Sequence, residues 1–86
     1  MITKIVMPPL GETMDEGMIV RWLKKEGEPV SRGDALLEVE TDKVVIEVES
    51  FGNGILRKII VGDGETVPIG ELIGIIADPD DNIDNI

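Results

Sequence analysis

The 86-residue sequence has no histidine, no cysteine and no tyrosine. It therefore offers no imidazole base for a hydrolytic triad, no thiol nucleophile, and none of the commonest zinc or haem ligands. Only carboxylates, lysines and hydroxyls remain for chemistry, and no carboxylate pair is set in an evident acid/base arrangement. The absence of cysteine removes any disulfide staple, which is consistent with a reducing compartment without being diagnostic of one. Basic residues are scarce as well: eight Lys/Arg against eighteen Asp/Glu leave a net charge of −10. That charge repels nucleic acid and anionic lipid and favours partners with basic docking surfaces. The longest apolar runs, at 59–61 and 72–77, fall far short of the roughly 20 residues that span a bilayer. No basic-then-apolar signal segment opens the chain. The expectation is a soluble protein with neither a nucleic-acid nor a membrane partner.

What is present is enough for one domain, since at this length roughly 60% of the unfolded surface is buried on folding. Ile19, Trp22 and Leu23 fall at helical spacing between Gly17 and Gly27, which by itself would allow a short helix. An internal repeat argues for a strand instead. Shifted by 37 positions, Gly17, Gly27, Glu28, Val30 and Gly33 fall on Gly54, Gly64, Glu65, Val67 and Gly70. The second copy, residues 55–61, is β-branched and runs into Gly62-Asp63-Gly64, so it reads as a strand entering a turn. The first copy should match it.

Each copy then reads as a strand, a Glu/Asp-Gly turn, a very short strand around Val30 or Val67, another glycine and a further strand (35–41 and 72–77). With 3–7 and 44–49 added, about eight strands separated by turns imply an all-β fold. The expectation is a flattened barrel or sandwich of two four-stranded antiparallel sheets related by a pseudo-twofold. This domain should occupy 1–78. Residues 79–86, Pro-Asp-Asp-Asn-Ile-Asp-Asn-Ile, read as an acidic flexible tail or the start of an interdomain linker. Ile83 stands where a calcium loop would need glycine.

Residues 38–49, EVETDKVVIEVE, form two alternating runs meeting at Asp42-Lys43. If those two residues are the loop, Thr41 pairs with Val44, Val39 with Ile46 and Leu37 with Val48 on an apolar face. Glu40 then faces Val45, and Glu38 faces Glu47, on a wet one. Two-residue hairpins prefer Asn-Gly or Asp-Gly, so a lysine at the second position breaks a local rule. Breaks of that kind mark functional positions, although an ordinary solvated turn lysine is the alternative. The sole tryptophan, Trp22, is expected to be a core or half-buried packing anchor.

Glu40-Thr41-Asp42-Lys43-Val44, preceded by Gly33-Asp34 and a Glu-Gly-Glu turn and opened by Met7-Pro-Pro-Leu-Gly-Glu-Thr-Met-Asp-Glu-Gly17, closely resembles the lipoyl domains of 2-oxo acid dehydrogenase acyltransferase subunits. The resemblance covers about residues 2–78. It implies that Lys43, flanked by Glu40, Thr41, Asp42 and Val44, carries lipoic acid through an amide as a swinging arm. The implied partners are a lipoate ligase or lipoyl transferase, a thiamine-diphosphate-dependent 2-oxo acid dehydrogenase that acylates the arm, an acyltransferase core that passes the acyl group to coenzyme A, and dihydrolipoamide dehydrogenase. The domain would be a monomeric, non-catalytic carrier within an acyltransferase chain, in a bacterial cytoplasm or, less favoured, a mitochondrial matrix. Leu10, Glu12 and Thr13 would belong to a loop read by the decarboxylase. Residues 10–14 and 22–27 look most like pyruvate- or acetoin-type carriers. Biotinyl carriers share the architecture but typically set methionines around the lysine, unlike Asp42 and Val44. Unmodified barrel-sandwich adaptor modules are the structural alternative.

Overall fold

The computed structural model describes residues 1–11, 14–41, 44–84 and 86. Among them eight strands occur: β1 (Thr3–Val6), β2 (Glu16–Trp22), β3 (Pro29–Val30), β4 (Ala35–Thr41), β5 (Val44–Glu49), β6 (Gly54–Ile59), β7 (Thr66–Pro68) and β8 (Leu72–Ala77). They form two four-stranded antiparallel sheets, ordered β1-β8-β6-β3 and β5-β4-β2-β7. Residues 16–22 are a strand, as the repeat requires and helical spacing does not.

The repeat is carried into the hydrogen-bond ladders. Met18 faces Glu40 and Ile19 faces Val39 in one sheet; Ile55 faces Ala77 and Leu56 faces Ile76 in the other, each 37 residues on. The register slips between Ile19 and Arg21, and again between Leu56 and Lys58. The crossings repeat too: Gly27 N–H donates to Leu56 O and Gly64 N–H to Ile19 O. Gly27 and Gly64 both have positive φ, 94° and 84°, a conformation in which a side chain is strained. These crossings hand β3 to the sheet of β6 and β7 to the sheet of β2, stitching the layers along one side.

Between the sheets lies one core that includes Ile19, Leu37, Val39, Leu56, Ile73 and Ile76, all fully buried. Strict alternation would turn one of two neighbouring residues outward, yet Leu36 and Leu37 are both buried. A bulge between Ala35 and Leu37 re-aims the chain there, with its repeat mate at Ile73 between Leu72 and Gly74. Trp22 is half-buried; its Nε1–H donates to Val61 O at 2.8 Å. Its ring lies over Gly74, where a Cβ would come within 2.9 Å of Cη2. The equivalent pair is Ile59 and Leu37, so a large residue over a glycine in one half replaces two mid-sized residues in the other.

The strand ends of the two sheets point in opposite directions along the molecule. From Gly54, level with Ala77, the chain passes Trp22 at Val61 and Asp63 and reaches Thr66, level with Met18 and Glu40. The β4–β5 end of one sheet therefore lies opposite the Met1–Asp78 end of the other, in a body 38 × 24 × 20 Å in extent.

Candidate functional site

The β4–β5 ladder runs through Leu37–Val48, Glu38–Glu47, Val39–Ile46, Glu40–Val45 and Thr41–Val44. This is the register that alternating hydrophobicity demands. Thr41 is buried at 9% exposure, next to the fully buried Val39, so the last pair before the junction is tied to the core on the β4 side. On the β5 side the strand overhangs: Val44, expected on the apolar face, is 55% exposed, and Val45 is 53% exposed. The core ends below them, so the described residues leave the branched side chains at the tip about half uncovered. Asp42 and Lys43, which connect the pair, lie outside the described residues.

Glu38 and Glu47, opposite one another, would repel. Arg21 Nε donates to Glu38 Oε1 at 2.7 Å, which draws one charge of the pair into a bridge with β2. Glu40 and Glu47 remain exposed. The wet face of the hairpin is thus acidic, with Val45 as an apolar spot in it.

The connection between β1 and β2 is fixed at both ends. Met7 N–H donates to Glu71 O, Gly70 N–H to Met7 O, and Ile69 N–H to Asp15 O. Leu10 is half-buried against the core, with its N–H on Met14 Sδ at 3.3 Å. Met14 reaches over Gly17, where a Cβ would meet Met14 Cε at 2.6 Å and Val39 Cγ1 at 3.0 Å. Gly17 sits one residue from Met18, the partner of Glu40, so this connection stands at the hairpin's end of the sheet. Leu10, whose side chain is spent partly on packing, is less available as a contact than its sequence position implies. Glu12 and Thr13 lie outside the described residues. The exposure of Val45 is signalled in the sequence only by its pairing with Glu40 on the wet face.

Among the described residues no group of three or more acidic side chains is placed to hold a metal ion. No buried side-chain nitrogen or oxygen there lacks a hydrogen-bond partner.

A family model described as a biotin-requiring enzyme, covering biotin and lipoyl attachment, matches residues 3–76. The chain is 46% identical over 83 residues to component 4 of the chloroplastic dihydrolipoyllysine-residue acetyltransferase of the pyruvate dehydrogenase complex in Arabidopsis thaliana, covering 96% of this chain and 17% of that protein. It is 51% identical over 71 residues to the dihydrolipoyllysine-residue succinyltransferase component of the 2-oxoglutarate dehydrogenase complex of Rickettsia bellii, covering 83% of this chain and 18% of that protein. It thus spans less than a fifth of the length of these relatives. Among solved structures, the lipoyl domain of the 2-oxoglutarate dehydrogenase complex from Azotobacter vinelandii superposes with a TM-score of 0.72 at 37% identity, covering 87% of this chain and 95% of that one.

Proposed function

Because the chain belongs to the biotin/lipoyl-attachment family, and within it to the lipoyl domains of 2-oxo acid dehydrogenase acyltransferase components, we propose that it is a carrier domain bearing lipoic acid on Lys43. The observation that carries this reading is the β4–β5 ladder. It is paired without a break from Leu37–Val48 to Thr41–Val44 and leaves only Asp42-Lys43 to join its ends. A side chain that must enter several enzyme sites in turn belongs at the outermost point of a rigid element.

The surroundings fit such a group. Glu40, Val44 and Val45 are exposed around the junction, leaving a modifying enzyme free approach to that end. No described buried side-chain nitrogen or oxygen lacks a hydrogen-bond partner, so the described side chains of the interior do not compete for the amine. Amide formation joins Lys43 Nζ to the lipoyl carboxyl carbon with net loss of water, driven by ATP in the ligase. It removes one cation, taking the net charge from −10 to −11. Once attached, the group supplies a disulfide that two electrons open, giving one thiol and one sulfur able to hold an acyl group as a thioester.

The chain's own residues present this group and identify the domain. Thr41 and Val39 hold the hairpin against the core, the acidic face of Glu40 and Glu47 favours basic docking surfaces, and the Leu10–Met14 connection lies at the same end as a second feature for a partner to read. The partners of this reading are a lipoate ligase or lipoyl transferase, a thiamine-diphosphate-dependent 2-oxo acid dehydrogenase, dihydrolipoamide dehydrogenase and an acyltransferase core. A bacterial cytoplasm suits it. Residues 10–14 and 22–27 favour a pyruvate- or acetoin-type complex. Similarity to both acetyl- and succinyltransferase components makes the acyl group a matter for assay with each decarboxylase.

The test is intact mass after incubation with lipoate ligase, lipoate and ATP. One lipoyl-amide increment is expected, absent from Lys43→Arg. It should also be absent when Asp42 and Lys43 are exchanged, because a one-residue slip changes the facing of the amine. An increment from biotin ligase instead would make this a biotinyl carrier. No increment from either enzyme would leave a structural module.

A further inference from the structure

The outer faces of the two sheets carry opposite charge. Strands β4 and β5 hold four glutamates and no cation, whereas β1, β6 and β8 hold Lys4, Arg57 and Lys58 and no carboxylate. In the second sheet Ile5, Ile59 and Ile76 pack on the core, so alternation turns Lys4, Lys58 and Ile75 outward. The register sets them in one row, Lys4–Ile75–Lys58. Ile75 is fully buried although it lies outside the core cluster. The lysines on either side have stems that can shelter it while their ammonium groups stay in water. Arg57 stands beside Lys58 at the β6 bulge. In the next row Val6 is level with Leu72, and Ile60 N–H donates to Ile73 O; Val6 and Ile60 are 42% and 40% exposed. A chain of net charge −10 thus keeps one face that is basic and partly apolar.

We propose that the outer face of β1, β8 and β6 docks an acidic segment of a partner protein, one in which carboxylates are interleaved with apolar side chains. The chain itself shows the chemistry this face accepts. At its margin Arg57 donates to the carbonyls of Asp78 and Asp81, seating an acidic turn against β6. Among the described residues Lys4 and Lys58 have no ion-pair partner. They stand two strands apart, about 10 Å. Residues three apart in a polyproline-type segment lie on one side of it at about 9 Å, so carboxylates at that interval reach both ammonium groups. Past Lys4 and Val6 the β1 edge borders a cavity lined also by Leu36, Val48 and Phe51, a seat for an apolar residue of the same segment. The chain's own tail does not fill this place, since Asp84 and Ile86 stay exposed. Nor does the overall negative charge forbid an acidic partner. Packed sheets lie about 10 Å apart, more than the Debye length of about 8 Å at physiological salt, so the lysines on the face decide. Docking there leaves the β4–β5 sheet uncovered and is independent of what Lys43 carries.

The experiment titrates the chain, followed by amide NMR, with a synthetic peptide of repeated Glu-Leu-Pro triplets and with its Gln-Leu-Pro and Lys-Leu-Pro counterparts. The glutamate peptide should shift the amides of Lys4, Lys58, Ile60 and Ile75 and leave those of Glu38 and Glu47 in place; the other two peptides should shift none of them. Lys4→Gln combined with Lys58→Gln should weaken binding about tenfold, as two exposed ion pairs are lost. The same variant should keep its urea midpoint and still gain the lipoyl-amide mass increment, which separates a failure of docking from a failure at Lys43. The inference is overturned if the glutamate peptide leaves the face unshifted, if the glutamine peptide binds as well, or if the double substitution changes nothing. Binding only after removal of residues 82–86 would overturn it by making the chain's own tail the occupant. Face amides that move with protein concentration alone would overturn it in favour of a second copy.

Discussion

Gly17 and Gly54 occupy the same place in the two repeats, yet replacing each with alanine should have unequal consequences. At Gly54 φ is +151° and a Cβ would stand 2.9 Å from Ala77 O and 3.2 Å from Ala77 C. Ala77 pairs with Ile55, so that carbonyl cannot retreat without opening the β6–β8 ladder. Backbone strain of about 1–3 kcal/mol adds to an overpacking cost of about 1–3 kcal/mol, giving about 2–6 kcal/mol for Gly54→Ala. At Gly17 the Cβ would meet Met14 Cε at 2.6 Å, Met7 Sδ at 2.9 Å and Val39 Cγ1 at 3.0 Å. The shortest is to the end of the half-buried Met14 thioether chain and the next to the sulfur of Met7, side-chain atoms and not backbone, and the backbone there needs no left-handed conformation. Gly17→Ala should cost only about 1–2 kcal/mol. A chain of this size is stable by roughly 5–10 kcal/mol, so the difference is readily measured. Urea unfolding followed by Trp22 emission gives both values, and an unchanged slope of free energy against denaturant confirms that stability alone has changed. Equal losses, or a larger loss at Gly17, would refute the argument that backbone contact decides the cost. Gly17→Ala carries a second signature, because it displaces Met14 at the hairpin's end. It should slow acylation by the cognate decarboxylase, whereas Gly54→Ala, at the far end, should not in its folded fraction.

Further predictions concern the remaining polar contacts. Trp22→Phe removes the Nε1 donor from Val61 O and should cost about 1–3 kcal/mol in urea unfolding, because a half-buried carbonyl is left without its partner. Hydrogen bonds to Asp78 and Asp81 raise the Met1 ammonium to about 10. Its stabilising effect should be complete below pH 8 and fade as pH rises through about 10, a dependence that N-terminal acetylation removes. The Asp81 carboxyl is held below its ordinary value by the Met1 ammonium and then by the Asp78 N–H. Its share should be present above about pH 4 and lost as pH falls through the lowered value, and added salt should weaken both effects. Glu47→Gln relieves the repulsion opposite Glu38 and should be neutral or stabilising by up to about 1 kcal/mol in the same unfolding assay, since Arg21 already pairs with Glu38.

The pairing of the strands was legible because two signals agreed. Alternating hydrophobicity fixed which residues of 37–48 face inward, and the 37-residue repeat overruled helical spacing around Trp22 by demanding equivalence with a β-branched copy. The bulges were not legible. Nothing in Ala35-Leu36-Leu37 announces that both leucines turn inward, since the sequence is equally compatible with one facing water. That is decided only when Leu23 N–H and Ile60 N–H take the carbonyls of Leu36 and Ile73 in the two halves. The same limit hid the cavity between the β1 and β5 edges, which Leu36 helps to line. It also hid the exposure of Val44, because alternation tells which face a residue takes and not where the core beneath it stops.

The pseudo-twofold also explains how one fold separates attachment from connection. Met7 and Ser50 play the same part, since each donates its N–H just beyond the preceding turn, to Glu71 O and Asp34 O, and accepts from Gly70 or Gly33. By that equivalence β1 matches β5, β8 matches β4, and the Met1–Asp78 end of one sheet matches the Thr41–Val44 end of the other. In one copy the last pair of strands is joined through Asp42-Lys43. In the other the strands stay unjoined, and the ends are held instead by the Met1 ammonium on Asp78 and Asp81 and by the Arg57 guanidinium on the carbonyls of both. Joining residue 78 to residue 1 by two residues and opening the chain between Asp42 and Lys43 should therefore preserve the sandwich. Such a permutant would abolish lipoylation, because the lysine would then sit on a free chain end. A folded permutant that still accepted lipoate would refute the requirement for an intact Asp42-Lys43 connection. A folded one that refused it would show that modification needs that connection unbroken.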